Sequence, residues 1–274
     1  MTEPKPSIRA GLKSLPGVRS PWWLLVIAIV GLALVWLAQG YDRHKDEQAA
    51  RLRSLVRLQA RQLADGIQES LAHAELVANG PVFAHHQQNW RTAIQRGLDA
   101  GTLRELRDVA ISLQFDGVLV LGPDGQPLVA PGQSAPPLAA QLQRAIQQTR
   151  SDGRVHWVGP YPGPAGVAQM DFVVPLSSGG APFPLLVLRR QPASWLARSL
   201  DDWPVVSPSG ESVLFRRDGD AVMYVSRLRH AGAAGQWLRV PVQKAENLAA
   251  RHLRNELAAG EMAQGLNYRG AAVL

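Results

Sequence analysis

The sequence of 274 residues contains no cysteine. This absence excludes disulfide bonds, thiol catalysis and cysteine-ligated zinc, and it leaves the redox compartment open. The sequence also lacks the motifs of common catalytic chemistry: the G-x-x-x-x-G-K-[ST] phosphate loop, the G-x-S-x-G nucleophile elbow, the H-E-x-x-H zinc helix and the G-G-D-E-F run. We therefore expect this chain to be no enzyme and to hold neither a cofactor nor a metal ion.

The positive charge is too small and too dispersed to predict a nucleic-acid partner. The formal net charge is +7, and no cluster of Lys and Arg is interleaved with aromatic residues. Apolar residues, in contrast, are abundant. They make up 46% of the chain, which is enough to build the core of one large domain or of two ordinary ones.

The longest apolar run covers residues 22–38, WWLLVIAIVGLALVWLA. As a helix it rises roughly 26 Å, near the thickness of a bilayer's hydrocarbon core, and tryptophans stand at both ends. The run predicts a transmembrane helix at 21–40 after a cytoplasmic tail at 1–20, with the chain in the inner membrane and its bulk in the periplasm. A cleaved signal sequence and a buried core helix are the alternatives.

Residues 41–80 predict a long stalk helix that continues from the span. Apolar residues recur at intervals of three, four or seven, and charged residues take the other faces. Asn79, Gly80 and Pro81 end the pattern. Since so long a helix cannot bury its apolar stripe alone, we expect it to pack on its own domain, on a second copy in a parallel homodimer, or on both.

After the stalk, the pattern predicts two α+β modules with antiparallel sheets, at 81–203 and 204–274. Each module contains an Asp-Gly hairpin, at Asp124 in the first and at Asp218 in the second. A strand begins at Ala271 just before the chain stops, so we expect the second module to be incomplete and the natural protein to continue. The first module should have strands at 118–121, 128–130, 154–158, 167–176 and 184–189 and helices at 82–98, 103–114, 138–150 and 194–203, and the second a helix at 245–259.

These features together resemble the double-Cache sensor region of bacterial transmembrane receptors, in which two PAS-like modules follow a membrane span and a long helix. The resemblance covers residues 20–274. It is most specific at 211–220 (ESVLFRRDGD), 226–230 (SRLRH) and 267–274 (NYRGAAVL), which are similar to the second module before histidine-kinase or diguanylate-cyclase outputs. The resemblance implies an output domain outside this chain.

The resemblance also implies that a small molecule binds in the first module, between the sheet and the loops that cover it. The candidate ligand-binding residues are Arg154, Trp157, Tyr161 and Asp171. In the amino-acid-sensing branch a Tyr, an Arg-x-Trp and a later Asp hold the ligand's carboxylate and ammonium; here two residues separate Arg154 from Trp157, and Tyr161 follows them. The expected ligand is an amino acid or another carboxylate. Alternatively, Trp157 and Tyr161 are packing aromatics and Asp171 pairs with a surface arginine.

The expected function is ligand sensing in signal transduction. Binding in the distal module at 81–203 would bias the stalk helix, and the missing cytoplasmic output would respond. A membrane-anchored periplasmic scaffold or assembly partner without a small-molecule ligand is the competing interpretation, and an extracytoplasmic hydrolase is a third. The adjacent histidines His85 and His86 point about 100° apart on a helix, which favours a solvated helix face over a metal site.

Overall fold

A computed structural model describes residues 22–129, 136–163, 166–176, 182–192, 210–230, 237–243 and 245–273, without the side chains of residues 22–24, 38–46 and 48. The tail predicted at 1–20 and the helix predicted at 194–203 lie outside the described residues. The chain divides into two compact units, Met1–Leu52 and Arg53–Leu274.

The first helix, α1 (Trp22–Asn79), is 58 residues long. Nowhere in the described part of the chain does a helix combine the length and the apolar character needed to cross a membrane. The predicted transmembrane helix at 21–40, and the inner-membrane location that depended on it, are therefore wrong. In the structure this run is not a separate element, because α1 continues from it without a break into the charged sequence that begins at Asp42.

The C-terminal part of α1 packs on its own domain. Ala74 and Val77 are buried, and Ile67 and Leu71 pack against the same apolar cluster. The helix ends where the sequence predicted. Gly80 follows it and donates its N–H to the carbonyl of Leu76 at 2.7 Å. Two helices come next, α2 (Ala84–Arg96) and α3 (Ala100–Ser112).

A five-stranded antiparallel sheet forms the centre of the next region, in the order β2-β1-β5-β4-β3. The five strands predicted from the sequence are all present, with ends that differ by a few residues. β5 lies in the middle and pairs with β4 along its whole length and with β1 at residues 185–189. The strands are β1 (Gly117–Leu121), β2 (Pro127–Leu128), β3 (His156–Pro162), β4 (Ala168–Pro175) and β5 (Leu185–Arg190).

Each face of this sheet carries its own core. On one face, Phe172 and Leu188 join the cluster formed with α1, α2 and α3. On the other face, Val173 and Val187 pack with Leu142 of α4 (Ala140–Asp152). Because side chains alternate along a strand, every strand residue belongs to one of two faces, which we call the α1 face and the α4 face.

A second, three-stranded antiparallel sheet follows, in the order β6-β7-β8. Its core includes Val222, Tyr224 and Ala250. The helix predicted at 245–259 is only six residues long, because Asn255 adopts a positive φ of 62° and the guanidinium of Arg254 bonds to the carbonyl of Ala245 at 2.8 Å. The elements are β6 (Phe215–Asp218), β7 (Ala221–Tyr224), β8 (Arg239–Pro241), α5 (Leu248–Leu253), β9 (Gly265–Leu266) and β10 (Ala272–Val273).

Candidate functional site

A carboxylate and a guanidinium lie side by side on the α4 face of the first sheet. Asp171 of β4 pairs directly with Arg189 of β5, and each lies two residues from an α4-face core residue, Val173 and Val187 respectively. Strand alternation thus places two charged groups in a layer that is built mainly of apolar side chains. Buried charges are costly unless they are paired, so the contacts of this pair are informative.

A β-bulge brings Tyr161 to the same face. The register between β3 and β4 shifts by one residue between Val158 and Tyr161, so that Tyr161 pairs with Gln169. Without the extra residue Tyr161 would follow Trp157 onto the α1 face. The bulge needs Gly159, whose φ is +138° and whose missing Cβ would lie 2.8 Å from the carbonyl oxygen of Gln169.

The three polar side chains form one connected cluster, which we call the polar triad (Tyr161, Asp171 and Arg189). Arg189 donates from Nε to Oδ1 of Asp171 at 2.9 Å and from Nη2 to Oδ2 at 3.1 Å, a bidentate contact. The hydroxyl of Tyr161 donates to the same Oδ2. Asp171 is fully buried, whereas 27% of the Arg189 side chain is exposed, so solvent reaches the triad from the guanidinium side.

Burial and the neighbouring charges shift the pKa of Tyr161 and the pKa of Arg189. Burial raises the pKa of Tyr161, and the negative charge of Asp171 raises it further, so the phenol remains a donor. Burial alone would lower the pKa of Arg189, but its hydrogen bond and ion pair with Asp171 outweigh that effect and raise it. The triad therefore presents a permanent cation next to a neutral phenol.

The four predicted site residues do not all meet. Tyr161 and Asp171 are joined in the triad. Trp157 lies on the α1 face instead, where it stacks on Phe172 with ring centroids 6.3 Å apart and remains 39% exposed. Arg154 is exposed in the turn between α4 and β3, where its N–H donates to Oδ1 of Asp152 at 3.0 Å.

Sequence reasoning missed Arg189 and Gln169. Gln169 is 5% exposed and shares the α4 face with the triad. The signal for Arg189 was present in the strand run LLVLRR, because alternation places it on the same side as Val187. Asp171 does pair with an arginine, but Arg189 is mostly buried and is not the surface arginine of the alternative interpretation.

A second polar contact lies between α2 and α3. Nδ1 of His86 lies 2.7 Å from Oε1 of Glu105, and Nε1 of Trp90 donates to the same oxygen at 3.0 Å. The side chains of His86 and Glu105 are both more than 40% exposed. Across the described residues, no three His, Asp or Glu side chains come together in a way that would hold a metal ion.

No protein-family model matches the chain, and the search of curated proteins finds no match either. The polar triad and the elements around it therefore provide the main indication of function.

Proposed function

We propose that this chain is a ligand-sensing module of a bacterial signal-transduction protein, and that the polar triad binds a small carboxylate such as an amino acid. The observation that carries the proposal is the pairing of a fully buried Asp171 with an Arg189 that solvent still reaches. Ionisable groups whose pKa is shifted by burial and by a charged partner cluster at functional sites, and Tyr161 and Arg189 are two such groups. The resemblance to PAS-like sensor modules and the five-stranded antiparallel sheet are consistent with it.

The chemistry of the triad suits a carboxylate ligand. A guanidinium carries five N–H donors, and the contacts to Asp171 use two of them. A ligand carboxylate that approaches the exposed side of Arg189 would therefore find donors in fork geometry. For an amino acid, the ammonium group would be attracted to Asp171 and to the hydroxyl oxygen of Tyr161.

Ligand screening by thermal shift tests the proposal. The full chain would be heated with each of the standard amino acids and small mono- and dicarboxylates. A ligand present at one hundred times its Kd stabilises the folded state by about 2.7 kcal/mol, which raises Tm by about 5 to 10 °C. Arg189→Lys keeps the charge but loses the fork, so it should abolish the shift. The matched variant Arg154→Lys, at an exposed position, should retain it.

Two outcomes would count against small-carboxylate sensing: no ligand of the panel changes Tm, or a shift survives Arg189→Lys unchanged. The second candidate function is then a scaffold or assembly partner without a small-molecule ligand. One observation favours it, because Asp171, Arg189 and Tyr161 already satisfy one another and apolar clusters pack on both faces of the sheet.

A further inference from the structure

Two consecutive arginines at the end of β5 contact opposite sides of the first sheet. Arg189 lies on the α4 face with Asp171. Arg190, the next residue, reaches across the α1 face and donates from Nη1 to the carbonyl oxygen of Gly66 in α1 at 3.1 Å. The same Nη1 also donates to the hydroxyl of Ser70, one helical turn further along α1.

The α1 end of this contact is buried and specific. Ser70 is only 1% exposed, and its hydroxyl donates to the carbonyl of Gly66 at 2.8 Å while it accepts from Arg190. One guanidinium nitrogen thus binds two oxygens that already belong to a local network within the helix. Any movement of Arg190 must break these buried polar contacts or carry the helix turn along with it.

The β5 end is held just as firmly. The carbonyl of Arg189 accepts from the N–H of Asp116 at 2.8 Å, and a carboxylate oxygen of Asp116 accepts from the N–H of Gln191 at 2.6 Å. Residues 189 and 190 share one planar peptide unit, so a rotation of that unit moves the backbone of both arginines together.

From these contacts we infer that Arg190 is a positioning residue that couples the polar triad to α1 at Gly66 and Ser70. This inference rests on the proposed function, since it describes how the state of that same site reaches the helix. A carboxylate bound to Arg189 competes with Asp171 for the guanidinium and shifts the end of β5, and Arg190 transfers the shift to α1. The coupling follows a continuous series of contacts, from Asp171 to Arg189 and from the adjacent Arg190 to Ser70.

A double-mutant cycle without ligand tests the coupling. Amide hydrogen exchange at residues 64–72 would be measured in the full chain, with the triad perturbed by Asp171→Asn and, more mildly, by Tyr161→Phe. In the wild-type background each change should raise exchange at 64–72 about three- to tenfold more than it raises exchange in α3, which reports the general loss of stability. In an Arg190→Gln or Ser70→Ala background this excess should disappear.

Arg150→Gln is the matched control, because Arg150 also donates to a main-chain carbonyl, that of Gly122 at 3.0 Å, but lies on α4. It should leave the response of residues 64–72 intact. Equal responses in all backgrounds, or no response of 64–72 in the wild-type background, would overturn the coupling. Since no ligand enters the cycle, its result is independent of the thermal-shift panel. A ligand that binds without changing exchange at 64–72 would leave the sensing proposal standing and remove the coupling alone.

Discussion

At the scale of single residues, the main feature is a carboxylate with no access to solvent. Asp171 is fully buried, and its partners Arg189 and Tyr161 come from the two strands on either side of β4. Breaking a buried ion pair by removing one partner is far more costly than losing a surface pair, because the remaining charge stays desolvated. The triad therefore contributes to folding as well as to the proposed binding.

Asp171→Asn should lower the free energy of unfolding by about 3 kcal/mol, because it leaves the mostly buried guanidinium of Arg189 without its counter-charge. Urea unfolding followed by circular dichroism would measure this loss. The control Arg154→Gln, at an exposed turn, should change stability by less than about 0.5 kcal/mol. Equal effects of the two variants would contradict the assigned role of the ion pair.

Tyr161 should make the protein sensitive to alkaline pH. The pKa of Tyr161 is raised in the folded state above its usual value of 10.0, so above about pH 10 the unfolded chain loses a proton that the folded chain keeps. Stability then falls as pH rises, by about 1.4 kcal/mol per pH unit from this one group. Tyr161→Phe should remove that part of the slope. If the free energy of unfolding falls equally with pH above pH 10 in the wild type and in Tyr161→Phe, the phenol is not buried beside Asp171.

Part of this site was predictable. The resemblance selects Tyr161 and Asp171, although the sequence predicts Tyr161 in the loop between the strands at 154–158 and 167–176. Trp157 and Arg154 were grouped with them because spacing along the chain was taken for proximity in space. The bulge at Gly159 separates Trp157 from Tyr161 onto opposite faces, and a one-residue shift of register has no signature in composition or periodicity.

At the scale of elements, helix ends and the β-bulge determine the fold more than the regular stretches of helix and strand do. The end of α1 was predictable, because Gly80 and Pro81 are strong helix terminators. The short α5 was not, since a tertiary contact of Arg254 ends an otherwise continuous helical pattern. The error at 21–40 arose because hydropathy over a run was taken as evidence of a span, although α1 continues from that run into charged sequence.

The bulge in β3 provides the test at this scale. Gly159→Ala should destabilise the fold by about 2 to 4 kcal/mol, because the new Cβ would stand 2.8 Å from a carbonyl oxygen and 2.9 Å from the Cα of Met170, at a φ of +138°. The matched variant is Gly153→Ala, where φ is +68° and no atom lies within 4 Å of the added Cβ. It should cost only about 1 kcal/mol. Similar losses for both would mean that the close strand contact is not what requires glycine at 159.

At the scale of the whole molecule, the structure supports describing Arg53–Leu274 as one unit, and the described part of this unit contains three sheets, of five, three and two strands. Individual side-chain hydrogen bonds connect the segments around the five-stranded and the three-stranded sheet. Trp237, which adopts a positive φ of 70°, donates its Nε1 to the carbonyl of Gly166 at 2.7 Å in the segment between β3 and β4. The hydroxyl of Ser212 also donates to the side chain of Gln59 in α1 at 2.8 Å. Helix α1 therefore contacts the regions of both sheets.

Self-association through α1 remains a prediction, and the absence of cysteine makes it easy to test. Val56 lies on α1 and is 55% exposed, so Val56→Cys should give disulfide-linked dimers under mild oxidation if two α1 helices pair in parallel register. Non-reducing electrophoresis would detect them. Ile111→Cys, on α3 and 59% exposed, should remain monomeric. Equal cross-linking at both sites would indicate random collision instead.

The position of β3 at the outside of its sheet has a practical consequence. An outermost strand offers free backbone donors that can recruit strands from other molecules, which is how many proteins begin to form fibrils. In β3, Pro160 and Pro162 have no N–H to donate. The bulge between Val158 and Tyr161 increases the twist of the strand. Concentrated solutions of the protein should therefore resist polymerisation by addition of strands to the β3 edge.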